Sequence, residues 1–542
     1  MHLSFLGAAE MVTGSNYLLK TNKHNILIDC GLFQGNKEME KLNFKDFPYN
    51  PAEIDILILT HAHIDHSGRI PKLVKEGFRG RILSTKATYD LSEVMLLDSA
   101  KIQQYDAEWE NKKRKRSGLE PIEPLYTIQD AEQSLKYFEG YLYGQKIDIN
   151  GELSIKFRDA GHILGSSILE LWASEDGKTT KIVFSGDLGM PGRPIISKPE
   201  FIETADYLVM ESTYGDKDHP PFKESTQKLI EIINKTAKRG GSVIIPSFAV
   251  GRTQELIYEL NQYYENNEVE EYMKIPVYID SPMAVNATEV FQKNSGTFND
   301  LTQEMILKGD NPFTFENLKY IRSTEESMAL NKADFPKVII SASGMATAGR
   351  VRHHLKHNLW DPKNSLVFVG YQAQGTLGRI LLDGVKQVKL LGEDIDVALE
   401  IYDLEGFSAH ADQSFMLEWL SHFQQKPQKV FLVHGESETA EIFSNIIKEK
   451  FGFETIIPKL GNTYKISTEK IEVEEDIEFK PAELRADILS ELESINGQFS
   501  SLMKNSQGLL DEELLKSNYD LVKNRLIELE SQLMDLNILV GK

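Results

Sequence analysis

The sequence predicts a layered α/β protein with a second α/β domain inserted into the first and a helical C-terminal extension. Three observations predict it. Short β-rich runs alternate with helical patterns over residues 1–210, the same alternation restarts near Gly215, and metal-type residues stand at run ends both before and after the restart. In chain order, the runs at 25–28, 54–59, 80–84, 154–157, 181–184 and 207–210 read as strands of the first domain, after a strand-like N-terminus. Helical periodicity covers 91–110 and 128–141, and the polar, basic stretch 111–118 between them reads as a solvated loop. In the second unit, 224–238 and 252–264 read as helices and 242–245, 276–279, 337–340 and 365–370 as strands of a parallel sheet. Strand-like runs resume to about Val473, so the division is 1–210, insert 211–403, return 404–470 and extension 471–542. In that extension Leu484, Ile488, Leu492, Ile495 and then Leu526, Leu529, Leu533 and Leu536 mark two amphipathic helices, suited to packing on the body or pairing in a homodimer.

Composition excludes several classes. A chain of 542 residues is long for one core at ~100–200 residues per domain. Its apolar runs fall short of the ~20 residues of a membrane helix, and the first residues lack a basic leader, so no membrane and a cytoplasmic location are expected. A single cysteine, Cys30, rules out an intrachain disulfide and a cysteine-rich zinc module and reads as a small buried side chain. The formal net charge of −22 opposes non-specific nucleic-acid coating, although the local field in a cleft can have the opposite sign.

The run His61-Ala62-His63-Ile64-Asp65-His66 places four metal-binding side chains directly after the apolar run 54–59. An extended backbone points residues i and i+2 the same way, so His61 and His63 can grip one ion while Asp65 and His66, past the bend, address another. His162 in Gly161-His162-Ile163-Leu164-Gly165 and Asp187 in Ser185-Gly186-Asp187-Leu188-Gly189 are further candidates, set among glycines that allow tight turns at a rim.

These residues, with Asp29, resemble the successive motifs of the metallo-β-lactamase superfamily, whose αββα sandwich the first domain is then expected to adopt. Glu211 in Glu211-Ser212-Thr213-Tyr214-Gly215, His410 in Ser408-Ala409-His410-Ala411-Asp412 and His434 in Val433-His434-Gly435-Glu436 resemble the β-CASP branch, in the form of the cleavage and polyadenylation specificity factor endonuclease and its prokaryotic relatives. The resemblance covers about residues 1–465. It implies two Zn²⁺ ions, one held by His61, His63 and His162 and the other by Asp65, His66 and His434, with Asp187 bridging and Asp29 orienting a ligand. A histidine at the position of His434 marks the RNA-processing members, so the implied substrate is single-stranded RNA.

The chemistry of the residues agrees. Two ions ~3.5–4 Å apart lower the pKa of a shared water and clamp a phosphodiester for in-line attack. His410 is the candidate acid for the leaving oxygen, with Glu211 orienting it; Asp65 and Asp29 complete the expected catalytic set. In the insert, Arg252, Ser343, Arg350, Gln374 and Arg379 stand at glycine-containing strand-to-helix junctions and are candidate phosphate binders. A hydrolase of small esters, thioesters or lactams accounts for the first-domain motifs alone, and a non-catalytic RNA-processing subunit would be expected to lack some of these ligands.

Overall fold

A computed structural model describes residues 1–35, 37–266, 274–372, 375–466 and 472–476. The expected C-terminal helices, and Gln374, lie outside them.

Two sheets face one another. The first has eight strands in the order Glu472–Asp476, Asn462–Lys465, His2–Phe5, Tyr17–Lys20, Asn25–Ile28, Ile56–Ile58, Arg81–Thr85 and Phe138–Tyr141. The second has seven, in the order Thr455–Ile456, Lys429–Val433, Tyr207–Glu211, Lys178–Phe184, Ser167–Glu175, Leu153–Asp159 and Lys146–Asp148. Leu3, Phe5, Ile28 and Ile58 from the first meet Phe157, Leu169, Phe184 and Phe431 from the second in one buried cluster. At ~25 cal/mol per Å² of apolar surface removed from water, this burial is the main force clamping the sheets. The outer face of the second sheet, through Val183, Leu208 and Leu432, packs on Phe415, Trp419 and Phe443 of the helices Gln413–Ser421 and Ser437–Phe451. The helix Lys86–Arg116 packs on the strands Arg81–Thr85 and Phe138–Tyr141 of the first sheet. The layers are therefore α, β, β, α, the sandwich that the motifs implied.

Between Tyr207–Glu211 and Lys429–Val433 the chain builds a separate sheet of six strands. Its order is Leu318–Tyr320, Val277–Ile279, Val338–Ser341, Val243–Pro246, Ser365–Phe368 and Glu400–Asp403, and every pairing is parallel. The strands flanking the insert run parallel and in contact, with Glu211 opposite Val433. Residues just after the departure and just after the return thus emerge side by side at one sheet edge, and this is what assembles the site.

Some local expectations are corrected. The basic run continues the helix Lys86–Arg116 and is not a loop; lysine and arginine are good helix formers, and four cations in the last turn complement the negative end of the helix dipole. The stretch 128–141 divides into the helix Ile128–Leu135, started by a Thr127/Asp130 capping box, and the strand Phe138–Tyr141, because the sheet offers a parallel partner in Arg81–Thr85. Cys30 is fully buried, as expected. Among the described residues no helix is long and apolar enough to cross a membrane.

Candidate metal centre and active site

The strands Asn25–Ile28 and Ile56–Ile58 are parallel neighbours, and their ends deliver Asp29 and the His61–His66 run. Asp29 has a left-handed backbone, φ 58°, a conformation that aspartate and asparagine tolerate better than most residues. Its Oδ1 accepts from the Thr60 N–H at 2.8 Å, and its Oδ2 accepts from the Thr60 hydroxyl and from His66 Nδ1, each at 2.8 Å. Since the Thr60 proton goes to Asp29, its oxygen accepts from His61 Nδ1 at 3.2 Å. Both imidazoles are thereby oriented with Nε2 facing the cleft, where each ring in its neutral form presents a lone pair.

Ring nitrogens converge where those lone pairs point. His63 Nδ1 lies 3.1 Å from His61 Nε2 and 3.2 Å from His162 Nε2, while Asp187 Oδ2 lies 3.4 Å from His61 Nε2 and 3.5 Å from His162 Nε2. An ion holding ligands tetrahedrally at about 2.0–2.1 Å sets ligand-to-ligand edges of about 3.3–3.4 Å. The four atoms have the spacing of one such coordination shell. On the other side of Asp187, Oδ1 lies 3.2 Å from His66 Nε2 and 3.7 Å from His434 Nδ1, and His434 Nε2 lies 3.4 Å from Asp65 Oδ2. Asp65, His66 and His434 form a second group able to hold an ion. Asp187 is buried, one oxygen toward each group, and its Oδ1 has no hydrogen-bond partner, as expected of an atom reserved for a cation.

Protonation supports the fit. Burial drives His61 and His162 well below the usual imidazole range and His63 down to about 4, so these rings are neutral and can donate to a metal. Burial opposes the charge of Asp187, yet the His434 and His66 rings outweigh it and hold the carboxyl well below its ordinary value; Asp65 is lowered in the same way by His434 and His66. The neutral nitrogens of His61, His63 and His162 beside ionised carboxylates, with no thiolate, suit zinc or a similar borderline ion.

Glu211 and His410 complete the site. The buried Glu211 accepts at Oε1 from the Leu188 N–H and at Oε2 from Thr213 Oγ1 at 2.6 Å and from His410 Nδ1 at 3.1 Å. A β-bridge between Gly189 and His410, with the Ala411 N–H on the Leu188 carbonyl at 2.7 Å, seats the returning loop against the Asp187 loop. The His410 ring stands 4.5 Å from the His162 ring. Burial disfavours its cation, but the charge and hydrogen bond of Glu211, then Asp187 and Asp65, raise its pKa to about 9.

The seven candidate ligands and the catalytic set Asp29, Glu211 and His410 are brought together. The candidate phosphate binders are placed differently. Arg252 is buried and paired with Glu255, and Arg350 donates to Asp280 Oδ1 at 2.7 Å and to the Arg322 carbonyl at 2.9 Å. Arg379 lies on Asp383 at 2.9 Å with a partly exposed head, and Ser343 Oγ accepts from the Thr347 N–H at 3.1 Å. Two participants were missed from sequence, Thr60 and Thr213. Thr213 gives its proton to Glu211 and faces His434 Nδ1 at 3.0 Å, tying the acid's partner to a candidate ligand. Their adjacency to His61 and Glu211 was the available signal, but a threonine beside a strand end is common.

Fold and site define a metal-dependent hydrolase. The chain matches the metallo-beta-lactamase superfamily over residues 11–128, the Beta-Casp domain over 253–381 and the Zn-dependent metallo-hydrolase RNA specificity domain over 394–458. A ribonuclease of Thermus thermophilus is 39% identical over 438 residues, covering 81% of this chain and 94% of that protein. Transcription termination factor FttA of Methanocaldococcus jannaschii is 32% identical, and that of Thermococcus kodakarensis 33%, each over 84% of this chain and 70% of the relative. The chain belongs to the β-CASP ribonuclease branch of the metallo-β-lactamase superfamily.

Proposed function

We propose that the chain is a zinc-dependent ribonuclease that hydrolyses phosphodiester bonds of single-stranded RNA in the cytoplasm, with two zinc ions and a histidine general acid. The carrying observation is the Glu211–His410 pair, 3.1 Å apart, set against the converging histidines and Asp187. His61, His63, His162 and one oxygen of Asp187 would hold one ion; Asp65, His66, His434 and the other oxygen would hold the second. Bound there, zinc supplies Lewis acidity and a water acidic enough to attack near neutral pH. Asp29 and Thr60 fix the His61 and His66 rings, and Thr213 fixes that of His434. His410, kept protonated by Glu211, gives the proton from Nε2 to the departing sugar oxygen; the nearby carboxylates hold that proton until the transfer.

The division into 1–210, 211–403, 404–470 and 471–542 is part of this reading, supported by the pairing of Tyr207–Glu211 with Lys429–Val433 around the insert. A homodimer through residues 471–542 remains part of it as well.

The test is an assay of the zinc-loaded protein on single-stranded RNA, single-stranded DNA and a simple ester. RNA cleavage strongly slowed in His410→Ala and in Asp65→Ala is expected; ester hydrolysis without RNA cleavage would overturn the reading.

A further inference from the structure

Two exposed aromatic rings crown the inserted sheet and have no role in the chemistry above. Phe248 follows the strand Val243–Pro246 and Tyr371 follows its neighbour Ser365–Phe368. The crevice beyond the carboxyl ends of parallel strands is where open α/β sheets take ligands. Phe248 is 44% and Tyr371 52% exposed. Single exposed apolar residues are ordinary; what sets this pair apart is how firmly the ground beneath it is built.

The Phe248 carbonyl accepts from the Thr253 N–H at 3.2 Å and from Thr253 Oγ1 at 2.6 Å, fixing the backbone that carries the ring. The ring spans two glycines: a Cβ on Gly344 would lie 3.0 Å from its Cδ2, and one on Gly370 3.7 Å from its Cε2. The buried Gln372 amide donates to the carbonyls of both, at 3.1 Å to Gly344 and 2.9 Å to Gly370, clasping the ends of the two strands that flank Val243–Pro246, next to Tyr371. The ring loop also abuts the candidate metal centre, since a Cβ on Gly251 would lie 3.1 Å from Ile163, the neighbour of His162. Tyr371 lies within electrostatic reach of Glu436 and Tyr214, and the Tyr214 ring stands 6.2 Å from that of His410.

Charge points to the same grip. The chain carries a net −22, and Arg252 and Arg350 at these strand ends are spent on Glu255 and Asp280. Binding of a polyanion there gains little from those guanidiniums, whereas base stacking on an aromatic face does not depend on them.

We propose that Phe248 and Tyr371 present stacking faces for unpaired nucleobases of the RNA beside the metal centre, an inference that rests on the ribonuclease function proposed above. The experiment measures equilibrium binding of a fluorescein-labelled single-stranded RNA, intact or with single abasic nucleotides placed along it, to the zinc-loaded wild-type protein and to Phe248→Ala, Phe248→Trp and Tyr371→Ala. Zinc content and thermal unfolding confirm that each variant folds, and a Phe248→Leu variant stands in if the alanine does not. Removing a base at one or two positions should weaken wild-type binding by roughly 5- to 100-fold. That penalty should vanish in Phe248→Ala or Tyr371→Ala and return in Phe248→Trp. An equal penalty in wild type and the alanine or leucine variants, or none in wild type, overturns the inference. Cleavage of the intact RNA by the wild-type protein is scored separately, so failure of the ribonuclease reading is told apart from failure of the stacking faces.

Discussion

Glu211 and His410 stand 199 residues apart in the chain, and their side chains meet at 3.1 Å. Glu211 ends the strand after which the insert departs, and His410 lies where the chain returns, so the contact exists only if the insert folds and closes. His410 is held at about 9 by that carboxylate against the cost of burial. An acid with a raised pKa is charged below it and lost as pH rises through it, so cleavage by a His410-dependent step should fall on the alkaline side near pH 9. Glu211→Gln removes the largest raising influence and should move that limb toward lower pH, while His410→Ala should keep its zinc and slow cleavage by about 10²–10⁴-fold. A pH–rate profile of Glu211→Gln with an unmoved alkaline limb would remove Glu211 from this role.

How much of this was legible in the sequence follows from what each residue's signal depends on. His61, His63, Asp65 and His66 are close in sequence because one strand end presents them, and their spacing is itself the geometry. His162, Asp187, Glu211, His410 and His434 come together through sheet order, and only the motif resemblance could unite them beforehand. Arg252 and Arg350 show the limit: a guanidinium after a glycine reads as a phosphate binder, but Glu255 and Asp280, which neutralise them, are set by packing. The strand Phe138–Tyr141 carries a helical period in the sequence, because its pairing partner lies far upstream at Arg81–Thr85, where no local period can register it.

Asp29 couples two histidines without facing the cleft itself, which makes a paired substitution informative. Asp29→Asn keeps a residue that tolerates φ 58° but weakens the acceptor for His66 Nδ1, so zinc affinity should fall about 10–100-fold with the fold retained. Asp29→Ala should lose as much affinity and also lower thermal stability, by about 1–2 kcal/mol for the left-handed backbone alone. Chelator-competition titration and thermal unfolding separate the two effects. Wild-type zinc affinity in Asp29→Asn would show that His66 needs no such partner.

Gly189 touches the loop that carries His162. A Cβ there would lie 1.7 Å from the Gly161 carbonyl oxygen and 2.7 Å from the His162 nitrogen, both backbone atoms that cannot swing away. Gly189→Ala should therefore push apart the loops bearing His162 and Asp187, costing about 1–3 kcal/mol of stability and most of the bound zinc. Gly296→Ala, where a Cβ meets nothing within 4 Å, is the control and should leave both near wild type. Thermal melts and metal analysis of the two variants decide it, and equal behaviour would mean that the loop contact is slack.

His66 stands apart from His61, His63 and His162 in the metal-free protein. Burial opposes its charge, but Asp187 and Asp29 on either side outweigh burial and raise its pKa well above the usual imidazole value, whereas His61, His63 and His162 are neutral. A zinc ligand must be unprotonated, so occupancy of the second group has to expel the His66 proton. At pH 7, zinc uptake should release the His66 proton, with Asp65 and Asp187 already ionised and contributing none. Because the raised group stays charged until pH climbs through its pKa, the release should dwindle at higher pH and apparent zinc affinity should rise with it. Calorimetric titration of the chelator-stripped protein in buffers of different ionisation enthalpy counts the proton directly. Asp29→Asn, which removes one of the two supporting charges, should reduce the count at pH 7, and an unchanged count would place the proton on another group.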